Sequence, residues 1–373
     1  MVVLNKKTLC FITSHYGIAK NGPGTFADYF VKKVMEQKDF KLIVISTDDG
    51  NSKYGEEVIK INQRKYFGST FISAIKIKNR ILKLNKKMNI DYIYFNTFRL
   101  ALFSTKINIP ILININDYYF AQMQNSFKTL KKKIYYNFWK HYYEKILNSA
   151  KMNFVNSNFT LKQILKNNAF DEKNFYVTYK GINLNLFNYN YVEVKDKINL
   201  LFVGSDFNRK GLDNIIEALY YLKTRNNKLG SLFVIGEDKK SINDYKQMVD
   251  KYNMQDNVIF LGRMNRSDVN NYHDKSHVYI MPSTREALGV SIIEASASGT
   301  TVIASDKGGI PEVIETEKEG LLLPECTPEA LYSAICRLVD NSEFRKKITE
   351  AAHIKSEQFS FDNIYTRIVK DIK

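Results

Sequence analysis

The chain has 373 residues, 44% of them hydrophobic, which is too long for one ordinary core and points to two domains of moderate size. Its three cysteines, Cys10, Cys326 and Cys336, make no CxxC pair and leave an odd count, which argues against a disulfide framework or a zinc site and for a reducing, cytoplasmic setting. No apolar run has the length of a spanning helix or the look of a secretory leader; a formal charge of +16 suggests an anionic partner, although abundant Lys, Asn, Ile and Tyr with little Arg also fit an AT-rich genome.

From the N-terminus, β-rich apolar runs at 8–15, 41–47, 91–97, 110–117, 151–157 and 174–181 alternate with stretches of helical period, a pattern that predicts parallel sheet. After the first run comes a glycine-containing loop with Gly22 and Gly24, which as residues without a side chain would let backbone approach a ligand closely. Gly22-Pro23-Gly24, with Asp48 after the second run, also fits a dinucleotide fingerprint and hence an NAD-linked oxidoreductase. Six residues separate His15 from Gly22, however, whereas the fingerprint needs its first glycine directly after the strand. A phosphate-binding P-loop fails as well, because Pro23 stands where lysine is required.

Further along, residues 127–147 read as a basic helix rich in aromatics. Phe127, Leu130, Ile134, Phe138 and Ile146 are expected to bury one side, while Lys128, Lys131, Lys132, Lys133 and Lys140 stay in water. Each such lysine near an anionic leaflet contributes about 1 kcal/mol, so the helix is a candidate for docking on a membrane surface. The charge balance agrees: residues 1–197 hold 32 Lys and Arg against 14 Asp and Glu, and the remainder 23 against 25. A nucleic-acid partner would also suit that charge, but no recognised binding motif accompanies it.

After a polar stretch at 182–197 the alternation restarts at 198–205, 231–237, 257–263, 277–283 and 300–306. The expected fold is α/β, two doubly wound Rossmann-like domains facing each other. Residues 1–190 would form the first domain, 195–355 the second, and 356–373 a helix crossing back to the first. Ligands are expected beyond the carboxyl ends of the strands, in the cleft between domains, where closure would exclude water.

Two segments of the second half carry chemistry. In 203–213, Gly204 follows a strand and Arg209 and Lys210 precede a helix, placed to clamp a diphosphate and to stabilise charge growing on a leaving phosphate. In 283–305, Glu286 lies in a loop and Glu294 in the second turn of the next helix. The free N–H groups of Ala287, Leu288 and Gly289 at that helix start make an anion site, and the flanking carboxylates can hold hydroxyls.

With these residues in place, 198–325 resembles the GT-B glycosyltransferases of retaining family 4, similar to lipopolysaccharide core and capsule glucosyltransferases. The resemblance rests on Glu286 and Glu294 with seven residues between them, the GlySerAspPheAsnArgLysGly loop at 204–211, and GlyGlyIleProGluVal at 308–313. It implies that Glu294 binds the donor ribose, Glu286 the donor-sugar hydroxyls, Arg209 and Lys210 the phosphates, and main chain near Arg263 the base. It further implies that residues 1–190 bind the acceptor and 195–355 the nucleotide sugar, that the loop with Gly22 and Gly24 meets donor or acceptor, retention of configuration, no metal and no other cofactor, a nucleotide sugar (UDP-linked by family habit) as donor, and a glycan or lipid-linked acceptor. Many members carry a His-Asp pair beside the reacting sugar; here Asn116 and Asp117 take that place, and Asn116 can bond a hydroxyl but not titrate. A nucleotide-sugar epimerase would share the architecture and differs in isomerising donor without an acceptor.

Overall fold

Parallel strands pair through evenly spaced backbone bonds and need long crossovers, so apolar runs separated by helices assemble into sheets covered on both faces. The computed structural model describes residues 6–16, 22–47, 57–60, 69–116, 130–166, 169–226 and 228–372. Among these, two separate parallel sheets form. The chain divides into two compact units, residues 1–179 with 364–373, and residues 180–363.

The first sheet has seven strands in the order β3-β2-β1-β4-β5-β6-β7. They are β1 Thr8–Thr13, β2 Lys41–Ser46, β3 Glu57–Lys60, β4 Tyr92–Phe95, β5 Ile111–Ile115, β6 Met152–Val155 and β7 Phe175–Val177. The four residues of β3 have no counterpart among the expected runs; a short edge strand carries too few apolar positions to show a period. One layer of the core holds Phe11 and Phe30 stacked with ring centroids 5.1 Å apart, and Tyr94 edge-on to both. The final helix, Phe361–Ile372, joins this layer: Tyr365 lies 5.6 Å from Phe30 and its hydroxyl donates to Asp39 at 2.7 Å.

The basic helix spans Leu130–Ser149, and its orientation corrects the expected one. Tyr136, Trp139, Tyr143, Ile146 and Leu147 face the core, whereas Leu130, Ile134 and Phe138 are exposed and, among the described members of the expected set, only Ile146 is buried. The wide aromatic face gains more by burial than the aliphatic one, since each large ring removes more apolar area from water. Phe127 and Lys128 lie outside the described residues, and so do the side chains of Lys131 and Lys132.

The second sheet has six strands in the order β10-β9-β8-β11-β12-β13. These are β8 Ile198–Val203, β9 Leu229–Ile235, β10 Val258–Gly262, β11 Val278–Met281, β12 Thr301–Ser305 and β13 Leu321–Leu323. Residues 187–194 lie along this unit: Asn190 N–H donates to the Ser298 carbonyl at 3.0 Å, and buried Arg345 donates to the Val192 carbonyl at 3.0 Å. In both sheets the strand order reverses once, between β1 and β4 and between β8 and β11, and in open α/β sheets such a reversal opens a crevice beyond the carboxyl ends.

Candidate active site

At the reversal in the second sheet, β8 runs into residues 204–211 and β11 into 282–289. The first loop is polar except for Phe207, which is fully buried, 5.8 Å from Phe202 and 5.5 Å from Tyr245. Asp238, just past β9, accepts the Phe207 N–H at 3.0 Å and fastens the loop from the side. The turn above that anchor presents Arg209 and Lys210, and Gly211 then opens the helix Leu212–Tyr221. Gly211 has a φ of 70°, and a Cβ there would press on Pro282, so glycine lets the two loops close on each other. The contact is completed by Thr284 N–H donating to the Arg209 carbonyl at 2.9 Å.

Glu286 is where the charges meet. Its Oε1 accepts from Lys210 Nζ at 2.9 Å, Arg209 Nη1 at 3.2 Å and Ser283 Oγ at 3.4 Å. Arg209 Nη1 also donates to the Arg285 carbonyl at 2.5 Å and to Ser283 Oγ at 3.2 Å, and its Nε pairs with Asp206 at 3.0 Å. Lys210 is only 9% exposed, its stem lying where a side chain on Gly204 would sit. Burial pushes the Glu286 carboxyl up, and Lys210 followed by Arg209 more than offset it, leaving it below the ordinary carboxylate range. The glutamate is therefore ionised at neutral pH and holds both cations at one point.

Beside this cluster the helix Val290–Ser298 begins, with Gly289 as its N-cap at φ 93°. Among the described residues, no acceptor engages the backbone N–H groups of Ala287, Leu288, Gly289, Val290 or Ser291. Gly308 and Gly309 back this turn: the Gly309 N–H donates to the Glu286 carbonyl at 3.0 Å, and a Cβ on either glycine would overlap the Glu286 or Ala287 carbonyl. Glu294, one turn into the helix, pairs with Arg266 at 3.4 Å. Burial raises the Glu294 carboxyl and Arg266 offsets this only in part. The two glutamates therefore depart from the ordinary value in opposite directions. Arg263 is exposed just past β10, at the same edge of the sheet.

Arg209, Lys210, Gly204 and Glu286 through Gly289 are thus brought together. Sequence reasoning gave no role to Ser283, Asp206, Asp238 or Arg266, which position the others; a polar residue in the loop that leaves a strand end was the available signal for Ser283 and Asp238.

In the first unit, Gly22 and Gly24 prove to be in the opening turn of the helix Gly22–Gln37 rather than in a loop. Pro23 between them fits an opening turn, where its missing N–H costs no helical bond. Its carbonyl accepts from Asn96 Nδ2 at 2.8 Å. Asn96, buried just past β4, also donates to Thr13 Oγ1 at 3.1 Å, and its Oδ1 accepts from Asn114 at 3.1 Å. Asn116 donates to the Asn96 carbonyl at 3.3 Å, and Asn156 donates to the Asn116 carbonyl at 2.7 Å. Asn116 Oδ1 and Asn156 Oδ1 are buried without a partner among the described residues. Asp117 and Asp48 lie outside those residues.

Residues 189–355 match the model of Glycosyl transferases group 1, and residues 21–186 that of Glycosyltransferase Family 4. The chain is 28% identical over 177 residues to the phosphatidylinositol N-acetylglucosaminyltransferase gpi3 subunit of Schizosaccharomyces pombe, covering 47% of this chain and 38% of that protein. It is 32% identical over 163 residues to the lipopolysaccharide glucosyltransferase WaaG of Escherichia coli, covering 43% and 40%. Each match spans less than half of the relative's own length. Among solved structures, Anabaena HepE in complex with UDP and glucose shares the fold, with a TM-score of 0.76 over 98% of this chain and 99% of that one at 17% identity.

Proposed function

Since this chain belongs to the glycosyltransferases of group 1 and family 4, we propose that it transfers a hexose or N-acetylhexosamine from a UDP-linked donor to a glycan or lipid-linked acceptor, with retention. The observation that carries the proposal is the convergence of Lys210 and Arg209 on Glu286 Oε1 beside a run of backbone N–H groups that no acceptor engages among the described residues. Fixed cations and N–H dipoles are what a departing diphosphate needs. The relatives support the substrate class: two carry names of sugar transferases, and the HepE structure holds UDP and glucose.

In this reading the bond between the sugar C1 and the diphosphate oxygen breaks, and the electron pair leaves with UDP. Arg209, Lys210 and the helix start take up the charge, with no metal assigned. The acceptor oxygen bonds to C1 on the same face while its proton passes to a leaving phosphate oxygen. Glu286 holds donor-sugar hydroxyls and Glu294 the ribose. Asn116 supplies a neutral amide for a sugar hydroxyl.

A thermal-shift series with UDP, GDP and ADP tests the donor. UDP should raise the melting temperature in proportion to its occupancy. A chain carrying Lys210→Ala should respond at least tenfold more weakly in apparent affinity, near the loss typical of one charge-assisted contact. No shift with any nucleotide would remove the proposal, and isomerised donor sugar in the absence of acceptor would replace it with epimerisation.

A further inference from the structure

The first unit carries an apolar face that its core does not use. On the helix Leu130–Ser149, Leu130 and Ile134 are one turn apart and 74% and 62% exposed, and Tyr135 and Phe138 continue the stripe. The helix Ser69–Met88 does the same, turning Ile77, Ile81 and Leu84 inward while Ile72 and Ile75 stay 39% and 46% exposed on another side. Phe71 and Phe138 touch, with ring centroids 5.6 Å apart, so the two helices lie against each other.

The charge around this face has one sign. Ser69–Met88 holds six Lys and Arg and no acidic residue; Leu130–Ser149 holds five Lys and one acid, Glu144, which pairs with Lys140 at 3.8 Å. We propose that this two-helix face docks on an anionic bilayer surface, with Leu130, Ile134, Ile72 and Ile75 entering the headgroup region and the lysines pairing with lipid phosphates. A second copy of the chain would bring the same positive charge and be repelled. A nucleic acid would satisfy the lysines and leave the aliphatic side chains in water. An anionic lipid surface meets both demands at once.

The test is co-sedimentation with vesicles of phosphatidylcholine alone or mixed with phosphatidylglycerol, at low ionic strength and at about 0.5 M salt, where charges are screened within a few ångströms. The protein should sediment with the mixed vesicles, and Leu130→Ser/Ile134→Ser should lower the partition by about tenfold or more while leaving the melting temperature unchanged. Ile72→Ser/Ile75→Ser should do the same from the other helix, which keeps the test decisive if one pair folds poorly. Lys83→Ser/Lys133→Ser should weaken binding at low salt. The proposal is overturned if both apolar pairs partition like the parent chain, if no vesicle binds, or if an acidic protein or oligonucleotide binds through the lysines while vesicles do not.

Discussion

The two sheets reverse their strand order at equivalent places, β1 beside β4 and β8 beside β11, yet the side chains just past those strands differ in kind. In residues 180–363 they are ionic: Arg209, Lys210 and Glu286 gather around one carboxylate oxygen. In residues 1–179 amides stand at the strand ends instead: Asn96 past β4, Asn114 within β5, Asn116 past it and Asn156 past β6 link neighbouring strands by neutral hydrogen bonds. Both networks pull adjacent loops together over the same scaffold. Ions suit a ligand that changes charge during reaction, whereas amides both donate and accept without titrating and suit a ligand made of hydroxyls.

The sharpest way to break this contrast is to remove a cation. Lys210→Ala should lower the turnover of sugar transfer by about a hundredfold, as deleting a transition-state charge contact does, measured as kcat with saturating donor. It also strips Glu286 of its nearest counter-charge, so a lower urea midpoint should accompany the kinetic loss. If turnover stays near normal, the cluster is structural and the comparison fails.

Removing an amide should act on folding instead. Asn96→Ala deletes three side-chain hydrogen bonds in a buried position and should cost about 2–3 kcal/mol of stability. The nucleotide-induced thermal shift should survive in the protein that remains folded. A lost shift with an intact urea midpoint would place Asn96 in the donor site and erase the distinction.

Glu286→Gln keeps the shape and removes the charge. We expect at least a tenfold fall in turnover, about 1.4 kcal/mol of barrier, with a circular dichroism spectrum like that of the parent. An unchanged rate would mean that its amide-like contacts, not its charge, hold the sugar.

The smallest effect concerns acid. Burial lowers His273 from 6.5 to about 3, and burial followed by Arg345 also lowers His277. Folding favours the neutral form of both, so their contribution is complete above the unfolded value and is lost as pH falls below 6.5; for His273 the loss continues to about 3. Each can remove at most about 1.4 kcal/mol per pH unit. Amides around His273 and Thr300 should therefore lose hydrogen-exchange protection as pH drops from 6.5 to 4, and His273→Gln should flatten that slope. A slope that His273→Gln leaves unaltered would detach acid sensitivity from the second unit.

The sequence alone determined the parallel α/β architecture and most strands, because apolar runs of strand length alternating with helical period have few other ways to bury themselves. It also brought out Arg209, Lys210, Glu286 and Glu294, since loops leaving parallel strands gather at one edge and short spacings along the chain survive into space. Tertiary structure alone decided what depends on distant partners. Arg266 meets Glu294 and Asp238 holds Phe207 across 28 and 31 positions of chain, and no local pattern encodes such pairs. The same holds for the basic helix. Its apolar residues occupy nearly every side, so periodicity left two faces in competition, and the choice fell to the fit of Tyr136, Trp139 and Tyr143 in the core of the first unit, leaving Leu130 and Ile134 in solvent.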